Sequence, residues 1–130
     1  MIIEKLIVEG EILNGERNGK RKEYNESGEL IFEGEYLYNI VLMGKEYING
    51  KLEFEGDYLY EHKWNGKGYD ENGNVIYELI NGNGKVKEYD DDENLLFEGE
   101  YLNGERNGNG KEYYFDGKLL FKGEYLNGKR

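Results

Sequence analysis

The sequence predicts an all-β protein, an elongated single-layer antiparallel sheet of tandem β-hairpins. Three observations predict it. A strand-like motif recurs at intervals of 20 to 24 residues along the 130-residue chain. Twenty Gly stand beside 13 Tyr and 5 Phe with no Pro, and the Gly keep fixed offsets from the aromatics, as turns and bulges of an ordered sheet require. No segment carries a helical period, and Gly this frequent disfavours helices throughout.

The recurring motif reads LIVEGEIL (6–13), LIFEGEYL (30–37), LEFEGDYL (52–59), a weaker VIYELING (75–82), LLFEGEYL (95–102) and LLFKGEYL (119–126). Its anchor falls at Val8, Phe32, Phe54, Tyr77, Phe97 and Phe121. Residues 1–130 therefore read as one repeat domain of about six degenerate hairpin units of 20–24 residues. Between the copies runs a shorter polar strand (RKEY, GKEY, GKGY, VKEY, GKEY) that ends in Tyr24, Tyr47, Tyr69, Tyr89 and Tyr113. From that Tyr to the next anchor is 8 residues in four cases and 7 in one, Tyr47 to Phe54. Such constancy predicts one turn type through NESG, ING, DENG, DDDEN and YFDG. Roughly eleven strands are expected.

Two-residue alternation sends Leu30, Phe32, Gly34 and Tyr36 to one face and Ile31, Glu33, Glu35 and Leu37 to the other. The expected sheet has an aromatic face (Phe32, Tyr36, Phe54, Tyr58, Phe97, Tyr101, Phe121, Tyr125) and an acidic, solvated face. A Gly between two aromatics on one face predicts a ring lying over the gap. Rings of successive hairpins should then stack, so that neighbouring repeats fold together.

The composition narrows the function. Hydrophobic residues make up 37%, too few for a thick core unless aromatics supply it. With 28 acidic and 17 basic residues the net charge is −11. That disfavours direct binding of nucleic acid and of anionic membranes, and favours a basic protein partner. Solubility alone is the plainer reading of the same charge. There is no Cys, hence no disulfide or thiolate chemistry. The start, MIIEKLIVEGE, has too short an apolar run for a signal peptide or membrane span, so a cytoplasmic location is expected.

Catalytic groups are scarce. One Ser (Ser27, in a hairpin tip), one His (His62), no Thr and no Cys give no nucleophilic arrangement. Carboxylates paired as EGE resemble the two acids of a glycosidase, yet they repeat with the architecture. No enzyme activity, cofactor or metal is expected. The tract 88–100 holds seven acids and no base, centred on Asp90, Asp91, Asp92 and Glu93. It lacks the alternating ligands of a calcium loop. It reads as a contact for a basic partner or as an ordinary hairpin tip. RNGKRK, 17–22, is too short a basic run for nucleic acid.

The pairing of FEGEYLNG-type with GKEYY-type strands resembles the MORN repeat (membrane occupation and recognition nexus). The spacing is similar to the bacterial variant in YwqK-like, antitoxin-annotated proteins. Residues 15–36 and 104–128 carry the likeness most closely, and it spans essentially the whole chain. It implies an elongated single-layer sheet, often curved into a groove, that binds proteins, dimerises or associates with membranes. The acidic charge runs against the last of these.

Two departures from the repeat mark candidate partner-binding residues. The loop NGERNG at 14–19 and 103–108 becomes YNIVLMG at 38–44 and YEHKWNG at 60–66. Ile40, Val41, Leu42 and Met43 thus form an apolar run where turn residues are expected, with His62 and Trp64 one repeat later. The run reads either as a plug against the next repeat or as an interaction anchor. The expected function is an acidic protein-binding module that sequesters or inhibits a basic, nucleic-acid-handling protein. An antitoxin, or a phage-encoded inhibitor of a nuclease or CRISPR-type effector, belongs to this class. The alternative is a self-associating scaffold or adaptor, dimerising through a terminal edge strand.

Overall fold

The computed structural model describes residues 7–13, 16–38 and 40–130, with side chains from residue 19 onward. Among these the chain forms eleven antiparallel strands: β1 (Ile7–Leu13), β2 (Glu16–Tyr24), β3 (Leu30–Leu37), β4 (Ile40–Ile48), β5 (Lys51–Leu59), β6 (His62–Tyr69), β7 (Val75–Leu79), β8 (Gly84–Tyr89), β9 (Leu95–Leu102), β10 (Glu105–Tyr113) and β11 (Leu119–Tyr125). The anchor Val8 lies in β1, and its side chain is outside the described set.

The expected single sheet is interrupted once. β1 to β7 form a seven-stranded meander and β8 to β11 a four-stranded one. β7 and β8 share no ladder, and the backbone bridge between them is that of Ile80 and Asn83 in the turn. One row of positions changes at this break. In register across the strands run Gly10, Arg21, Gly34, Gly44, Gly56, Gly66 and Leu79, then Val86, Gly99, Gly110 and Gly123. Phe32, Phe54, Phe97 and Phe121 lean over this row and cover the glycine of their own strand or of the neighbouring one. A methyl built on Gly66 would sit 2.6 Å from the Phe54 ring, and one on Gly99 2.8 Å from that of Phe97. At the sheet break the row reads Leu79 and Val86, both buried with Phe54 and Tyr77 in one cluster. Two aliphatic side chains take the place of rings over glycine, and the ladder stops there.

The turns fall on two opposite edges. Along one, two-residue turns carry Asn–Gly with both residues at positive φ: Asn81–Gly82, Asn103–Gly104 and Asn127–Gly128. Along the other, NESG, DENG, DDDE and YFDG make four-residue turns in which the N–H of the last residue donates to the first carbonyl at 2.9–3.1 Å. Their last residue is left-handed Gly28, Gly73, Glu93 and Gly117. The expectation of a single turn type fails at ING. Asn49 and Gly50 are both left-handed, which marks a two-residue turn, and this explains the spacing of seven there.

Candidate functional site

The expected acidic face is a ladder of alternating charge. Lys22, Glu33, Lys45, Glu55, Lys67 and Glu78 stand in register on successive strands, each acid beside a lysine. Lys45 Nζ lies 3.6 Å from Glu55 Oε2. A groove of about 1070 Å³ crosses β2 to β6 on this face, floored by glycine backbone. The Glu of each FEG motif is thus matched by the Lys of a GKEY motif, which inspection of either strand alone does not show. Tyr47 and Tyr113 add hydroxyl bonds to Glu33 and Glu98 at 2.6 and 2.7 Å. Burial and then the Glu33 bond push the Tyr47 phenol up to about 12.

The aromatic face exists, but it is closed by its own charged groups. Glu23, Glu46, Glu88 and Glu112 stand opposite the Phe anchors and take the hydroxyls of Tyr36, Tyr58, Tyr101 and Tyr125. Cations then lie over the rings. Lys63 Nζ is 4.7 Å above Phe54, Arg106 4.2 Å above Phe97, and Arg130 5.3 Å above Phe121. Arg106 also reaches both Glu88 oxygens at 3.0 Å and Glu112 at 3.2 Å. Burial, the largest single influence, lowers the pKa of Lys63, but Glu46, Tyr77 and Glu53 together outweigh it, so the ammonium stays charged. Rings of neighbouring units meet through Phe32–Tyr58, Phe54–Tyr77 and Phe97–Tyr125, with centroids 6.2, 6.4 and 5.3 Å apart. Phe54 and Phe97 are fully buried, Tyr125 is buried, and Phe32, Tyr36, Tyr58, Tyr101 and Phe121 are half-buried.

Ile40–Met43 are not a loop. β4 begins at Ile40, which pairs with Leu37, and the β-branched pair Ile40–Val41 suits a strand. Ile40, Leu42 and Met43 are exposed and Val41 is half-buried, so the run does not fill a neighbouring repeat. Register explains what the run replaces. Val41 faces Tyr36 as Lys63 faces Tyr58 and Arg106 faces Tyr101, so the second unit has an aliphatic where the third and fifth hold a cation. Met43 stands between Glu35 and Asp57. On the later turns, Asn65, Asn83 and Asn107 side chains accept the backbone N–H of Asn81, Asn103 and Asn127 at 2.8–3.3 Å. Met43, in the place of Asn65, has no such oxygen.

The remaining candidates are dispersed. Trp64 is a half-buried strand residue whose carbonyl accepts Gly82 N–H at 2.7 Å, and its ring lies against that turn. His62, also in β6, has Nε2 3.4 Å from Glu105. Asp90 builds its own turn, accepting Asp92 and Asn94 N–H at 2.9 and 2.8 Å, and Asp70 does the same for Asn72 and Asn74. Asp91 and Asp92 are exposed, and Glu93 lies 3.8 Å from Lys51. A cleft of about 460 Å³ beside this edge is lined by Glu29, Glu46, Glu53 and Asp91, with Tyr47 and Tyr89. Burial above all holds the Glu53 carboxyl above its ordinary range. Among the described residues no group of acids and histidine is arranged to hold a metal ion, and no helix is long and apolar enough to cross a membrane.

The MORN repeat variant matches residues 17–38, 82–103 and 106–127, together just over half of the chain. The chain belongs to the MORN repeat variant family. Each matched segment begins in the polar strand or turn of one hairpin and ends at the two-residue turn edge of the array. The MORN units make this a repeat-based binding or scaffold module. The diverged run in β4 and the acidic tip Asp90–Glu93 bear differently on the match. Ile40–Met43 fall outside the matched segments, whereas the tip lies inside the second. No curated protein matches the chain significantly.

Proposed function

We propose that this MORN array is a non-enzymatic, cytoplasmic module that sequesters or inhibits a basic, nucleic-acid-handling protein. The observation that carries it is where the charge lies. Both sheet faces neutralise much of their charge internally, by the lysine–glutamate ladder and by the Arg106 and Lys63 contacts. The four-residue turns and ING hold eight acids and no lysine or arginine, most of the net −11. Stacked hairpin tips thus present an acidic edge that a basic channel or ridge can meet in place of phosphates. The cleft at Glu29, Glu46, Glu53 and Asp91 has room for a cationic side chain beside two tyrosines.

Affinity capture from lysate at low salt, with elution in rising salt, tests this. Basic proteins should be retained and released steeply as screening increases. Retention of only neutral or acidic proteins defeats the reading. A second reading, a self-associating scaffold, draws on β11, which hydrogen-bonds only to β10 among the described strands. Light scattering that finds the same mass at every concentration removes it.

A further inference from the structure

The second unit gives up three stabilising devices at one place. Val41 removes the cation that covers the rings in the third and fifth units, and Met43 removes the asparagine that fastens the following turn. That following turn, Tyr60–Glu61, holds two non-glycine residues at φ 51° and 65° where the later turns use Asn–Gly. Left-handed backbone is strained at such residues, which carry a Cβ. Local rules broken together, without a compensating contact, mark a surface kept for something else.

What the place exposes is apolar. Leu37 pairs with Ile40, the β4–β5 ladder runs to Met43 opposite Asp57, and Tyr60 lies in the turn that follows β5. Leu37, Tyr38, Ile40, Leu42, Met43 and Tyr60 are 43–78% exposed. Scaled by side-chain size, they present on the order of 700 Å², above the few hundred Å² common on monomers and near the ~800 Å² each partner gives a standard interface. The rim is net acidic. Glu35 and Asp57 flank Met43, Lys20 stands beyond Glu35 on β2, and Glu61 is exposed in the turn.

We infer that this patch is the anchoring epitope for the basic partner, taking an apolar knob ringed by lysine or arginine. The inference rests on the reading above, that the partner is a basic protein. The net charge of −11 and the acidic rim oppose a second copy of this chain as the occupant.

Three short synthetic peptides test it by fluorescence anisotropy against the full chain: a Leu/Phe centre flanked by Lys and Arg, the same centre flanked by Glu, and the basic peptide with its centre changed to Ser. The first should bind at least about tenfold more tightly than either other. Tyr60→Ser and Leu42→Asp should each weaken it about tenfold, with urea midpoints confirming that both fold. Leu102→Asp, on the same turn edge but outside the patch, should leave it unchanged. Should Leu42→Asp fail to fold, the more exposed Tyr60 decides. Equal binding of the Ser-centred peptide, or equal weakening by Tyr60→Ser and Leu102→Asp, overturns the epitope but leaves the basic-partner reading standing. Equal binding of the Glu-flanked peptide overturns both. A dimer in light scattering that Tyr60→Ser abolishes assigns the patch to a second copy and overturns the inference.

Discussion

Phe97 and Phe121 occupy the same place in nearly identical strands, LLFEGEYL and LLFKGEYL, so local sequence predicts equal contributions. The structure predicts unequal ones. Phe97 is fully buried, with Tyr101 and Tyr125 at 6.1 and 5.3 Å and Arg106 4.2 Å over its face. It also covers Gly99 and Gly110. Phe97→Ala removes the transfer term and leaves a cavity that rigid neighbours cannot refill, about 3–5 kcal/mol. It takes with it a T-shaped contact to Tyr125, and Arg106 stays over an empty site. Phe121 is half-buried and touches Tyr125 on one side, so Phe121→Ala should cost about half as much or less. Urea unfolding by far-ultraviolet circular dichroism measures both differences. Hydrogen exchange should show strands β8 to β11 losing protection together in Phe97→Ala. Equal losses in the two variants, or a larger one for Phe121→Ala, would refute the claim that lateral ring stacking sets the stability.

Gly110→Ala should destabilise by about 1–3 kcal/mol in urea titration, against the usual gain from this change, because the new methyl would lie 2.8 Å from both the Phe97 and Tyr125 rings. Glu93→Gly should stabilise by about 0.5–1 kcal/mol, read as a raised urea midpoint. It relieves φ 66° in the turn where Gly28, Gly73 and Gly117 sit, and the Lys51 pair it loses is solvent-screened. The protein should unfold in alkali. Burial is the leading cause that raises the Tyr47, Tyr77 and Tyr125 phenols to about 12, so their contribution is complete below the unfolded value near 10 and is lost as pH rises through 12. Phenolate absorbance should therefore show a late component that rises together with the loss of circular dichroism. A gradual rise near pH 10 for all tyrosines would contradict the buried hydroxyl bonds.

Much of the array was legible in the chain. The FEGEYL and GKEY motifs gave strands, and the seven-residue gap at Tyr47 already differed from the others, as the two-residue turn at Asn49–Gly50 requires. Ile40–Met43 stood out as a departure from the repeat. That Val41 stands for a missing cation and Met43 for a missing asparagine was not legible, because both comparisons run between strands. Glu23, Glu46, Glu88 and Glu112 were not foreseen on the aromatic face for the same reason. Each lies beside a bulge or register shift, and such shifts move side chains relative to a simple alternation.

The sequence by itself determined the local structure: strands from the two-residue period, turns from Asn, Asp and Gly, and a slot for a ring beside each glycine. The tertiary structure alone decided which rings are sealed, where the sheet divides at Leu79 and Val86, and how lysine and glutamate pair across the strands. The period fixes the direction of a side chain within its own strand. Its energy depends on the residue beside it in the next strand, and that neighbour is set by register.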